Sequence, residues 1–356
     1  MEKLAFQKVI CYNILIKDSF GGVMRKYLLP EEGNFYKANL HAHTNMSDGH
    51  QSPEEVKELF LKLGYSIVAY TDHDIFVDRS HLNDEEFLAL NGLELEINGR
   101  NFGRGWVDME TCHINFIALE PDNLITPCYH RSKYLLRNAP NYRHLLKYDE
   151  SLPDFDRFYT PERINEMFMI GRNQGFFTVY NHPWGSLEQY PTYIQYNYMH
   201  AMEMYNGPVE YNPQVYDDML RAGKIIYCVG GDDSHSVNGS GFSWTMIKAK
   251  SLDYRTVTKA LMAGHFYCSQ GPEIHALYME DGVMHVKTSD AQAIYFTSAA
   301  RSKGQKFVIA KDGETVNEAS FEVIPECVFV RVTVVGPNGK TASTNAYRSI
   351  DLLKKI

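Results

Sequence analysis

Short apolar runs, most of them bounded by a histidine or a carboxylate, recur through the first two thirds of the chain. Ala38–Leu40, Ser66–Thr71, Phe87–Glu94, Cys112–Leu119, Phe176–Tyr180, His200–Tyr205 and Ile225–Gly230 are rich in aliphatic or β-branched side chains, as expected of buried strands. Between the first two lies Ser52-Pro53-Glu54-Glu55, in which serine can cap a helix, proline suits its first position and Glu55 completes a capping box. Val56, Leu59, Phe60 and Leu63 follow at helical spacing, and Gly64 ends the element. Further helices are expected over about 161–172 and 253–264. Strands alternating with helices predict parallel pairing, and seven such strands predict a closed or nearly closed β/α barrel with its chemistry at the carboxyl ends.

Two long segments interrupt the alternation. Residues 120–160 are rich in Tyr, Arg and Asn with weak periodicity, and residues 184–198 are aromatic with few aliphatics. Each reads either as a lid or binding loop or as surface decoration. From about residue 272 the pattern becomes short alternating runs separated by turns such as Lys311-Asp312-Gly313, which predicts a small C-terminal antiparallel β-domain. The expected organisation is an N-terminal extension over 1–35, a barrel over 36–271 and the β-domain over 272–356. Met24 reads as a natural start, so residues 1–23 are expected to be non-native.

Composition narrows the function classes. The 356 residues are 44% hydrophobic and 22% charged, with a formal net charge of −9. That balance argues against broad nucleic-acid binding, though bound cations could reverse the field locally for a small phosphorylated substrate. The cysteines (11, 112, 128, 228, 268 and 327) form no CxxC pair, so reduced thiols in a cytoplasm are expected, with Cys112 and Cys228 buried in strands. No apolar stretch approaches the ~20 residues that a membrane span needs.

The chemistry is concentrated where the runs end. His41-Ala42-His43 with Asp48, Asp72-His73-Asp74, Glu94, His113, Asn181-His182 and Asp232-Asp233-Ser234-His235 all sit at strand ends or the turns beyond them. His-x-His on a strand sends both imidazoles to one face, where they can grip one divalent ion. His41, His43, Asp48, His73, Glu94, His113, His182, Asp233 and His235 are therefore expected to form one multinuclear metal site. Mixed imidazole and carboxylate ligation suits Mn, Zn or Fe better than Mg alone. Trp184, directly after His182-Pro183, is a candidate for stacking on substrate, with a packing role as the alternative. Arg104, Arg131 and Arg172 are candidate phosphate-binding cations, or ordinary surface charges.

The segments LHAHTNMSDG, YTDHD, GLELE, CHINF, YNHPWGS and GGDDSH resemble, in order and spacing, the motifs of the polymerase-and-histidinol-phosphatase (PHP) family. The resemblance covers about residues 36–271 and implies a distorted seven-stranded β/α barrel carrying two or three metals that hydrolyse phosphoesters. It implies His41, His43, Glu94 and Asp233 around one metal, Glu94 bridging to a second held by His113 and His182, and Asp48, His73 and His235 around a third. Asp72 and Asp74 would orient the ligand between them from behind. Glu94, Asp233 and His235 would lie nearest the reacting group, where a water shared between cations ionises to a hydroxide nucleophile. The substrate would be a phosphoester of a small metabolite, nucleotide or oligonucleotide end. A non-catalytic scaffold and a C–N amidohydrolase are the competing readings; the second lacks a candidate carboxylated lysine on a central strand.

Overall fold

The computed structural model describes residues 25–301 and 304–354, so residues 1–23, and the question of their origin, lie outside the described residues. Chain order begins with β1 (Arg25–Tyr27), β2 (Asn34–Ala42), α1 (Pro53–Lys62), β3 (Ile67–Tyr70), β4 (Leu88–Asn101) and β5 (Met109–Ala118). It continues with α2 (Pro161–Asn173), β6 (Phe176–Tyr180), α3 (Tyr190–Tyr193), β7 (Ala201–Asn206), β8 (Glu210–Tyr211), α4 (Pro213–Arg221) and β9 (Tyr227–Gly231). The capping box forms as its residues dictate: Ser52 Oγ accepts from Glu55 N at 3.2 Å, and the Glu55 carboxylate accepts from Ser52 N at 2.8 Å.

Seven strands, β2-β3-β4-β5-β6-β7-β9, form the barrel wall. It closes through a parallel bridge between Ala42 and Ser234, with His43 N donating to Ser234 O at 2.9 Å. Closure thus occurs at two of the ligand-bearing clusters. One expectation fails: β5 is antiparallel to both β4 and β6. Only 102–108 join β4 to β5, too few for the dozen or so residues that a parallel crossover requires. Reversing β5 puts its beginning, rather than its end, at the mouth, and His113 lies in the half of the strand nearer that beginning. A core cluster drawing on every wall strand (Leu40, Ala69, Leu90, Ile117, Val179, Ala201 and Val229) packs against Val257 and Leu261 of α5 (Tyr254–Ala263), which follows β10 (Trp244–Ala249).

After α5 the chain runs antiparallel: β11 (Phe266–Ser269), β12 (Ile274–Glu280), β13 (Val283–Ala291), β14 (Ala293–Ser298), β15 (Gln305–Ile309), β16 (Val316–Glu322), β17 (Phe329–Val335) and β18 (Thr341–Thr344). One sheet is β1-β12-β13-β16, so the N-terminal strand belongs to it. The other, β15-β14-β17-β18, continues through β11 and β10 into β2 of the barrel wall. Leu277, Met284, Val286 and Phe321 from the first meet Ile294, Phe296, Val332 and Val334 from the second. Alternation in these strands supplies the apolar faces of this sandwich. No described helix is long and apolar enough to cross a membrane.

Candidate metal centre

The nine side chains named from sequence converge at the mouth of the barrel, with Glu94 as their hub. Glu94 Oε1 lies 3.2 Å from His41 Nε2, 3.1 Å from His113 Nδ1 and 3.3 Å from His182 Nε2. Its Oε2 lies 3.3 Å from His43 Nε2 and 3.4 Å from His73 Nδ1. Asp233 Oδ1 stands 3.2 Å from His41 Nε2 and 3.1 Å from His43 Nε2. Asp48 completes the outer side, 3.3 Å from His235 Nε2, 3.8 Å from His73 Nε2 and 3.5 Å from His43 Nδ1. His41, His43 and Glu94 are buried, whereas His235 is the most open of the set.

Local chemistry brings each ligand there. The turn after His43 folds back because Gly49 has no side chain; a Cβ would stand 2.6 Å from His43 O. Asp72 fixes the same turn, accepting from Thr44 N at 2.7 Å and Ser47 Oγ at 2.8 Å. Asp72 therefore sets the loop that carries Asp48 and does not orient His73. Asp74 likewise does not orient His73, because it is paired with Arg157, which pins the end of the 120–160 segment beside the site. Asp232 accepts from the backbone of Gly241, Phe242 and Ser243 and thereby braces the turn beyond Asp233. His182, Asp233 and Asp74 all have positive φ (23°, 51° and 58°), a backbone conformation that costs non-glycine residues free energy.

Hydrogen bonds on the far side of three of the rings define which nitrogen is free. His235 Nδ1 donates to the carbonyl of Asp233 at 2.8 Å, so its Nε2 presents a lone pair toward Asp48. His41 Nδ1 meets Glu203 Oε1 at 2.8 Å, and His182 Nδ1 meets Ser186 Oγ at 2.9 Å. With Nδ1 as donor in each, Nε2 is left as an acceptor aimed at the carboxylates. His41 Nε2 and His43 Nε2 then face each other at 3.1 Å, beside two acceptor carboxylates. Such a set is repulsive without a proton or a cation at its centre. Among the described residues no Lys or Arg pairs with Glu94 or Asp233, and a buried unpaired carboxylate costs several kcal/mol. His113 Nε2 and Asn181 Oδ1 are buried without a hydrogen-bond partner.

Electrostatics record the same demand in the metal-free chain. Burial alone would raise Glu94, but the imidazoles of His41, His113 and His73 hold it well below the ordinary carboxylate range. Burial would lower His43, yet hydrogen bonding to Asp233 and Glu94 pushes it up to about 10. His182 is also opposed by burial and lifted to about 9, chiefly by Glu94 and then Asp233. His73, where burial dominates, falls to about 4. Protons are what these carboxylates attract when no divalent ion is bound.

The ligand atoms fall into groups within 4.8 Å of one another: His41, His43, Glu94 and Asp233; His43, Asp48, His73 and His235; His73, Glu94 and His113; and His41, His182 and Glu203. These residues fit divalent ions. His113 and His182 share one oxygen of Glu94 but fall in different groups, because the β4–β5 register sets His113 opposite Glu96 and beside the His73 turn. Glu203, in the middle of β7, is a contributor that sequence spacing does not flag: it is a lone carboxylate in an apolar strand. It also accepts from His182 N at 3.0 Å, tying two ligands together. Glu203→Gln is expected to weaken metal affinity about 10- to 100-fold, as partners behind a ligand typically do; competition titration against a chromophoric chelator measures it.

Arg172 requires a correction. It ends α2, before β6 begins, and its guanidinium donates to Tyr198 O at 3.1 Å ahead of β7. That is the opposite end of the barrel from His182, so Arg172 cannot reach a substrate on the metals. Arg131 is engaged with Asp154 and Arg104 with Asp108. Trp184 stands at the mouth, 72% exposed, and is not a packing residue.

No protein-family model and no curated protein matches the chain. Among solved structures, it is similar to a two-domain protein from Bacteroides vulgatus containing a predicted PHP-like metal-dependent phosphoesterase. Identity is 15%, over 90% of this chain and 97% of that one, with a TM-score of 0.44. A lesion-specific endonuclease from Pyrococcus furiosus is 15% identical over 64% of this chain and 56% of its own, at a TM-score of 0.39. An amidohydrolase from Chromobacterium violaceum is 15% identical over 56% of this chain and 87% of its own, at a TM-score of 0.30.

Proposed function

We propose that the chain is a PHP-type phosphoesterase that holds two or three divalent cations, of the Mn, Zn or Fe kind, and hydrolyses a small phosphorylated substrate. The observation that carries this reading is the Glu94 carboxylate. One oxygen faces His41, His113 and His182 and the other faces His43 and His73, so both oxygens would be available to cations held by these rings. Bound there, divalent ions would supply an activated water and offset charge on phosphoryl oxygens. The chain's own part is to hold the ligands rigid. Glu203 and Ser186 fix imidazole orientation, Asp72 fixes the Asp48 turn, and Asn181 Nδ2 donates to Glu94 Oε1 at 2.7 Å. His235 and Asp48 form the open side, where a phosphoryl group can enter from solvent.

The test is metal analysis of the purified chain, followed by turnover of a phosphoester panel with Mn or Zn added. The panel covers nucleoside mono- and bisphosphates, sugar phosphates, short oligonucleotides and p-nitrophenyl esters. Two or more metals per chain and hydrolysis of at least one ester are expected. Metal-loaded protein that turns over none of them would sink the proposal.

A further inference from the structure

Trp184 is an indole with no visible structural task on a backbone held with unusual care. It makes no ring contact and no side-chain hydrogen bond among the described residues, in contrast to Trp244, which is packed on Tyr65 and covered by Lys37. Its backbone is fixed from several directions. The buried carboxylate of Glu210 accepts from Trp184 N at 3.1 Å and Gly185 N at 3.2 Å, while Asn212 Nδ2 donates to the same group at 2.7 Å. Ser186 N donates to His182 O at 3.1 Å, and Thr111 N to Ser186 O at 3.0 Å. Glu188 N donates to Pro183 O at 3.1 Å, and the Glu188 side chain is itself gripped by the hydroxyls of Tyr159, Tyr180 and Tyr196.

The neighbourhood is apolar. Glu210 brings the 209–211 segment against Trp184, and there Val209 is 83% exposed beside Tyr211, whose ring stacks on Tyr205. Leu187 is exposed on the same loop as Trp184. Exposed apolar side chains, Trp184, Leu187 and Val209, therefore lie on the loop that leaves His182 and on the segment bonded to its backbone. A large exposed aromatic on a rigid frame loses little entropy on contact and gains burial when a flat partner covers it.

We propose that Trp184 is the specificity-determining residue for the organic part of the ester, and that this part is a planar, apolar or aromatic group lying against the indole while its phosphoryl group sits at the metals. The inference rests on the phosphoesterase reading and narrows its substrate class from any phosphoester to those with a ring next to the ester oxygen. Small polar alkyl phosphates would leave the indole uncovered.

The experiment uses two phosphonates, whose C–P bonds are not hydrolysed: phenylphosphonate, which carries a ring, and methylphosphonate, which does not. Binding to the metal-loaded chain is measured by calorimetry for the wild type, Trp184→Ala and Trp184→Phe. Phenylphosphonate is expected to bind the wild type more tightly, to weaken about tenfold in Trp184→Ala and to be largely rescued in Trp184→Phe. Methylphosphonate affinity and metal content are expected to be unchanged in both variants. Equal loss for the two phosphonates, no loss for phenylphosphonate, or no wild-type preference for the ring would each overturn the inference. Failure of the phosphoesterase reading would show separately, as wild-type protein that binds the phosphonates and hydrolyses no ester.

Discussion

Glu94→Gln is expected to abolish hydrolysis and strip metal from the protein, the largest effect of any single substitution. Five imidazoles, those of His41, His43, His73, His113 and His182, approach its carboxylate within 3.1 to 3.4 Å. An amide keeps the shape but removes the charge and presents one oxygen where two are used. Losing a single preorganised donor costs an active site about 10²–10³-fold, and removing a bridging ligand should exceed that. The measurement is metal stoichiometry by mass spectrometry together with turnover. A variant that retains its full metal content and activity would show that Glu94 is not the bridge.

Chelation is expected to lower the thermal midpoint, and the loss should grow with pH. A ligand that binds only the folded state adds about 2.7 kcal/mol at a hundredfold excess over its dissociation constant. In the chelated protein, protons take the place of metal. His43 and His182 have folded-state pKa values raised to about 10 and about 9, from an ordinary value near 6.5. A raised histidine contributes stability that is fully present below about pH 6.5 and is lost as pH rises through 9 and 10. Metal binding requires the imidazoles neutral, so its competitor weakens over the same window. The difference in melting temperature between metal-loaded and chelated protein should therefore be larger at pH 9 than at pH 6.5. A difference independent of pH would mean that protons do not occupy the metal-free centre.

How far the sequence reaches can be judged from particular residues. The capping box of α1 and the strand that presents His41 and His43 on one face follow from local spacing alone, and both appear where expected. Cys112 and Cys228 are buried within strands, as an apolar neighbourhood implies. The reversal of β5 was written in the chain but easily misread: His113 opens its apolar run, whereas the other clusters close theirs. A strand bearing its ligand at the start can serve the same mouth only by running backwards, and the 102–108 connection is too short for anything else.

Other features carry no local signal. Glu203 is a single acid in an apolar strand, and its place behind His41 arises because β7 lies beside β6 and β9 in the wall. Arg172 has the right chemistry for phosphate, but it precedes its strand and so falls at the wrong end. Asp72 and Asp74 flank His73 in sequence, yet their partners are Thr44 and Ser47 for one and Arg157 for the other. Adjacency along a turn does not fix direction, because successive side chains diverge.

By itself, the sequence determined the alternation of strands and helices, the residue types able to bind metal and their placement at strand ends, since periodicity and capping are short-range properties. Only the tertiary structure decided which oxygen of Glu94 faces which histidines, which nitrogen of His41, His182 and His235 is free, and which end of the barrel Arg172 occupies. Those depend on strand direction, register and closure between Ala42 and Ser234, contacts made across nearly two hundred residues of intervening chain.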